Sequence, residues 1–334
     1  MNDDSQRRTP LKRRDVLVLL GSTAAAIAAG CDSGSGTPGA GGAGSAGSAA
    51  GTGGAGGGTA AISWATGGTA SMTGKASYPN PFASGPSSKC ALTCEVMLGP
   101  CYSSQSVEIQ DISYGYAGLP MRLYLQVLDE SCKPVTGALI DVWHVSPVGK
   151  YSGNDPTNES VAFCTGNDSD FTSHLYFRGK QTTDASGVVF FDTCFPGWYS
   201  GRAIHIHLVI SINDQKYLTT QLFFPDALDD ELVGTQPLYK DRGPADTTNQ
   251  TDGAISASAV ADYEVQYSKM ADGAMLAWKT LVLRSSLANP SCSAPAGMSG
   301  GMDGGMPPFG DGGMPPFGDG GPPSFGDGGP PDGG

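Results

Sequence analysis

Histidine is scarce in this chain, and positive charge is scarce relative to negative. Four histidines occur in 334 residues, so an imidazole-based site has very few candidates to draw on. Nineteen lysines and arginines stand against thirty-two aspartates and glutamates, a formal net charge of −13. Residues 1–30 hold five of the positive and three of the negative side chains, so without them the balance is −15. With no basic stripe, the chain is a poor binder of nucleic acid and of anionic lipid surfaces. Long apolar runs are missing as well: Val16 to Ala29 is too short for a comfortable membrane span. No amphipathic helices alternate with the strand-like segments, which argues against a parallel βαβ sheet.

Glycine (50) and proline (24) are abundant instead, and they gather near the two ends. Residues 1–30 read as an export signal. A basic head (Arg7, Arg8, Lys12, Arg13, Arg14) precedes the apolar run, and Arg13-Arg14-Asp15-Val16-Leu17 resembles a twin-arginine signal. Ala28-Ala29-Gly30-Cys31 resembles a lipobox, making a lipid at Cys31 the only expected membrane contact; the plainer alternative is a cleaved signal peptide without lipid. The expected location is therefore periplasmic or cell-surface. Residues 31–82, mostly Gly, Ala, Ser and Thr, read as a flexible tether. Residues 291–334 repeat an eight-residue unit beginning Met306-Pro307-Pro308-Phe309 and read as a disordered tail.

Residues 83–290 remain, enough for one all-β domain with a real core. Short β-branched and aromatic runs at 123–128, 138–143, 188–191, 204–210 and 217–224 are separated by turn signals such as Lys133-Pro134 and Asn213-Asp214. They predict an antiparallel β-sandwich with long loops, with one helix at about 256–270. Residues 154–173, mostly polar, read as a surface excursion. Of eight cysteines, seven remain if Cys31 carries lipid; outside the cytoplasm most should pair, leaving one free. Zinc at Cys90, Cys94 and Cys101 is disfavoured by the spacing and by the lack of a nearby histidine. Which cysteines pair is not legible.

His205-Ile206-His207 lies inside an apolar run. Alternate residues of a strand share a face, so the two imidazoles project together. A pair of neutral imidazoles suits a transition metal, and a polar pair on a wet strand face is the plain alternative. No Glu follows as a cupin would need, and an iron(II) facial triad would need a carboxylate ligand.

The surroundings of this pair resemble the intradiol ring-cleavage dioxygenases, the family of catechol 1,2-dioxygenase and protocatechuate 3,4-dioxygenase. Tyr199, Arg202, His205 and His207 match the family's Tyr-x2-Arg-x2-His-x-His pattern, and its earlier tyrosine falls on Tyr151, eight residues after Trp143. Further likeness runs through Gly99-Pro100, Phe177-Arg178-Gly179, Thr220 to Pro225 and Asp252-Gly253, over about residues 90–255. The resemblance implies iron(III) held by Tyr151, Tyr199, His205 and His207, with Tyr199 leaving when the substrate chelates. It implies that Arg202 stabilises charge developing on the substrate and that Gln221 donates a supporting hydrogen bond. The expected partners are a catechol-type aromatic and O₂; family members often associate, and self-association stays open. Two phenolates and two imidazoles also suit a hard ferric ion. Trp143, Trp198 and His144 read as packing residues, and Arg202 could instead pair with an acid such as Asp192. The rival readings are a surface-anchored β-sandwich binding module without turnover, which would consume no O₂, and a copper or zinc protein, which elemental analysis would separate.

Overall fold

The structure, a computed structural model, describes residues 62–85 and 90–297. The export signal, Cys31, the first part of the glycine-rich segment and the repeats lie outside the described residues. The described strands are β1 (Pro120–Asp129), β2 (Leu139–Trp143), β3 (Arg178–Thr182), β4 (Val188–Cys194), β5 (His205–Ile212), β6 (Gln215–Phe223), β7 (Gln266–Lys269) and β8 (Met275–Leu283). They form two four-stranded sheets, ordered β4-β1-β8-β7 and β3-β2-β5-β6. Every strand pair is antiparallel except β1 with β8. The expected all-β sandwich is the fold.

Period-two alternation builds the core. Leu123, Leu125 and Val127 of β1 join Ile140 and Val142 of β2 and Ile206, Leu208 and Ile210 of β5 in one buried cluster. Each such side chain stabilises the fold by roughly 1.5–3 kcal/mol. Residues with the opposite parity, among them Trp143, His205, His207 and Gln221, are buried too, because loops roof the outer face of their sheet. Among the described residues four short helices lie in the connections: α1 (Val161–Thr165), α2 (Ser169–Ser173), α3 (Asp226–Thr235) and α4 (Pro237–Lys240). The first two lie in the segment read as a surface excursion, and they bury Cys164 and Phe171.

Two differences from the sequence reading have physical causes. Residues 62–82, assigned to the tether, lie against the first sheet: Thr69 Oγ1 donates to Asp111 Oδ2 (2.7 Å) and Arg122 Nη1 to Lys75 O (2.8 Å). Gly68 has φ +73°, and a Cβ there would clash with Tyr116 O, so one glycine of that run serves close packing. The helix expected at 256–270 is instead a single 3-10 turn (Val260–Asp262) followed by β7. Pairing with β8 outweighs the local helical preference.

Seven cysteines are among the described residues. Cys90–Cys132, Cys94–Cys292 and Cys101–Cys164 are disulfides, and Cys194 is free and buried. One is left over, as the count predicts. The Cys94–Cys292 link also ties residues just past 290 to the domain.

Candidate metal centre

β5 carries both histidines on the face away from the core, each 2% exposed, which removes the wet-face reading. Trp143, opposite His207 in the β2 register, stacks on its ring at 4.9 Å with planes 4° apart. Gly99 allows the loop from the other side to close over it. Its φ is +77°, and a Cβ there would lie 2.9 Å from His207 Cε1. Tyr151 arrives on the loop after β2 and is 4% exposed. Tyr199 arrives on the turn between β4 and β5, where Gly201 has φ +82° and Arg202 N–H reaches Tyr199 O (3.4 Å). It is only half-buried.

The four polar tips converge. His205 Nε2 lies 3.0 Å from His207 Nε2, 3.4 Å from Tyr151 Oη and 3.3 Å from Tyr199 Oη. His207 Nε2 lies 3.1 Å from Tyr151 Oη. His205 Nδ1 is 2.6 Å from Ala203 O, which can only accept, so that nitrogen carries the proton and Nε2 presents a bare lone pair. Three groups thus crowd one lone pair, and at most one of them can donate to it. A cation among them would satisfy all four. Ligand bonds of about 2.1 Å at roughly 90–110° place neighbouring donors about 3.0–3.4 Å apart, the spacing found here. Among the described residues no group of three or more His, Cys, Asp or Glu converges in this way, so the donor set is phenol and imidazole.

The electrostatics agree. Burial, and then the charge of Arg202, hold both imidazoles well below the ordinary histidine range, so they are neutral donors. Burial raises both phenols, Tyr151 strongly, and Arg202 opposes the rise at Tyr199. Phenolates here need a cation beside them, and the residues fit a trivalent ion.

Arg202 is fixed by Asp252, not by Asp192. Its Nε reaches the Asp252 carboxylate at 3.0 and 3.2 Å, and Nη2 donates to Gln221 Oε1 at 2.6 Å. Asp192 lies on the other sheet, where Arg122 takes both its oxygens at 2.7 and 3.0 Å. Gln221 faces His207 in the β5–β6 register and donates Nε2 to Met97 O (2.8 Å). It therefore orients Arg202 and the loop leading to Gly99. His144 stays out of the cluster: its ring is bound by Val145 O (2.7 Å) and Thr193 Oγ1 (2.8 Å), and burial lowers its pKa to about 4. Arg178, Asp252 and Gly99 were given no role from the sequence, although each lies in a segment carrying the family likeness. Arg178 is fully buried beside Tyr151, and burial lowers its pKa to about 10.

A family model described as dioxygenase matches residues 99–265. Catechol 1,2-dioxygenase 1 of Acinetobacter lwoffii is 30% identical over 120 residues, 30% of this chain and 35% of that protein. Catechol 1,2-dioxygenase of Acinetobacter baylyi is 27% identical over 157 residues, 39% of this chain and 45% of that protein. The matched stretches thus span less than half the length of these relatives. Among solved structures, an intradiol ring-cleavage dioxygenase from Tetranychus urticae shares the fold, with TM-score 0.51, 24% identity, and coverage of 58% of this chain and 95% of that one.

Proposed function

This chain belongs to the intradiol ring-cleavage dioxygenase family, and from that premise we propose that it opens the ring of a catechol-type substrate with O₂, at a ferric ion held by Tyr151, Tyr199, His205 and His207. The convergence of two phenol oxygens and two imidazole nitrogens, 3.0–3.4 Å apart in four pairs, carries this reading. When bound, iron(III) supplies the Lewis acidity that makes a chelated catecholate ring reactive towards O₂. Both oxygen atoms enter the product as the bond between the hydroxyl-bearing carbons breaks.

The side chains divide the remaining work. His205, its Nδ1 tied to Ala203 O, keeps Nε2 aimed at the centre. Trp143 and Gly99 sandwich the His207 ring and fix its plane. Tyr199, half-buried on a glycine-containing turn, would hold the metal together with Tyr151, and its phenolate oxygen could accept a proton from the catechol. The Arg202 guanidinium, held by Asp252 and Gln221, keeps positive charge beside the position where negative charge develops on the substrate.

The three disulfides support the reading that the domain works outside the cytoplasm, exported by the segment 1–30 and anchored through Cys31. Purified protein should be red-brown, contain about one iron per chain and consume O₂ when given a catechol. Protein that is colourless and iron-free after reconstitution sinks the proposal. Coloured protein that takes up no O₂ with any dihydroxy aromatic would be the binding module instead.

A further inference from the structure

Tyr151 is gripped by groups to which the proposed chemistry assigns nothing. Its backbone N–H donates to Cys164 O (2.9 Å), and Cys164 is bonded to Cys101. Arg178 donates from Nη2 to Cys101 O and from Nε to Ser152 O, both at 2.7 Å. Its guanidinium carbon is 5.8 Å from the centre of the Tyr151 ring. Ser152 Oγ is in turn tied to Tyr176 O at 2.6 Å. Arg178 makes no direct ion pair among the described residues: Asp141 and Asp155 are within electrostatic range, but Asp141 is bridged by Lys180 (3.6 Å), Asp155 is bonded to Ser104 and Thr157, and Arg178 Nη1 is buried without a hydrogen bond. A buried guanidinium with no directly bonded carboxylate is costly to keep. Its place between the two chain segments that flank the Tyr151 ring supplies a reason for it.

Tyr199 is held differently. Its turn is tied through Ser200 and Gly201 to Asp246 at exposed hydrogen bonds of 2.6 and 3.0 Å, and through Trp198 O to the Arg242 guanidinium, and it carries no disulfide.

We propose that the Cys101–Cys164 disulfide and Arg178 form a brace that holds Tyr151 as the fixed tyrosine of the site and leaves Tyr199 as the one free to move. Arg178 is a positioning residue, acting through the carbonyls of Cys101 and Ser152. The brace reaches His207 as well, because Gly99, two residues before Cys101, packs on that ring. Its weight in catalysis rests on the reading of the site given above; its mechanics do not require metal.

Lys150 precedes Tyr151, so trypsin reports on this segment directly. The Cys90–Cys132 disulfide is the control. Its sequence separation of 42, against 63 for Cys101–Cys164, means that losing either releases a similar constraint on the unfolded chain. Only one of them touches Tyr151. In folded full-length protein, C101S/C164S should be cut between Lys150 and Tyr151 roughly tenfold faster than wild type, and C90S/C132S at about the wild-type rate. Arg178→Met should also be cut faster, with Arg178→Lys in between. No acceleration in C101S/C164S, or equal acceleration in the control, overturns the brace. Should the cysteine variant not fold, the Arg178 pair decides in protein with all disulfides intact: Met and Lys variants both cut at the wild-type rate overturn it. Failure of the ferric reading would show separately, as iron-free wild type, and would leave these cleavage ratios equally readable.

Discussion

The two outer faces of the sandwich are both covered, yet the polar groups beneath the covers are in opposite states. Over β4-β1-β8-β7, Tyr78 and Phe82 pack on Tyr124, Phe190 and Trp278. The charge there is matched: Asp192 takes two hydrogen bonds from Arg122, and Thr69 is bonded to Asp111. No strand residue of that sheet, among the described residues, has a buried side-chain polar atom left without a partner. Over β3-β2-β5-β6 the opposite holds. Asp141 Oδ1, Trp143 Nε1, Arg178 Nη1, His207 Nδ1 and Thr219 Oγ1 are all buried and unpaired. A protein bears such costs where function demands the groups. The matched face fixes shape, and the unmatched one holds the proposed site.

Substitutions on the two faces should therefore fail in different ways. The largest effect belongs to the unmatched face. His207→Ala should abolish iron binding, visible absorption and O₂ uptake while far-ultraviolet circular dichroism stays that of a β protein; a variant that keeps its colour would mean that His207 is not a ligand. On the matched face, Arg122→Met removes the two short hydrogen bonds to buried Asp192, leaving it Lys75 at 3.8 Å and Gln110 at 3.4 Å, and should cost about 3 kcal/mol by urea unfolding. The fraction that remains folded should keep the wild-type spectrum, and a changed spectrum would show that the two faces are coupled. Next comes Gln221→Ala, which removes the support of Arg202 and the Met97 loop. It should lower iron affinity or turnover by roughly 10- to 100-fold with little change in unfolding midpoint; an unchanged rate would reduce Gln221 to packing.

The smallest effect is at His144, which lies between the faces and touches no ligand. Its folded pKa of about 4 is below the ordinary value of 6.5 because burial disfavours the charged ring. The unfolded chain therefore takes up a proton that the folded chain refuses. This contribution to stability is complete above about pH 6.5 and falls away as the pH drops towards 4. His144→Gln should keep colour and activity and flatten unfolding midpoints measured across that window; an equally steep profile would assign the loss to other groups.

Much of the site lies in one stretch of chain. Tyr199, Arg202, His205 and His207 sit within nine residues on a turn and the strand it feeds, and strand parity brings both imidazoles to one side. The sandwich was legible for the same reason, since runs such as 123–128 and 204–210 alternate visibly. β3, whose residues are largely polar, and β8, which follows the segment read as a helix, were not found. β8 owes its place to parallel pairing with β1, a partner about 150 residues away in sequence, and no local pattern encodes that.

From the residues alone came the class of fold and the facing histidines, because each depends on neighbours a few positions apart; the two tyrosines came through the family resemblance. Tertiary structure decided which cysteines join, that Asp252 holds Arg202 across 50 residues, and that Arg178 reaches the carbonyl of Cys101 across 77. It also decided that Tyr151 is buried and Tyr199 only half-buried. Those outcomes follow from how loops close over a sheet, and the contacts that close them join segments whose local sequences carry no mark of one another.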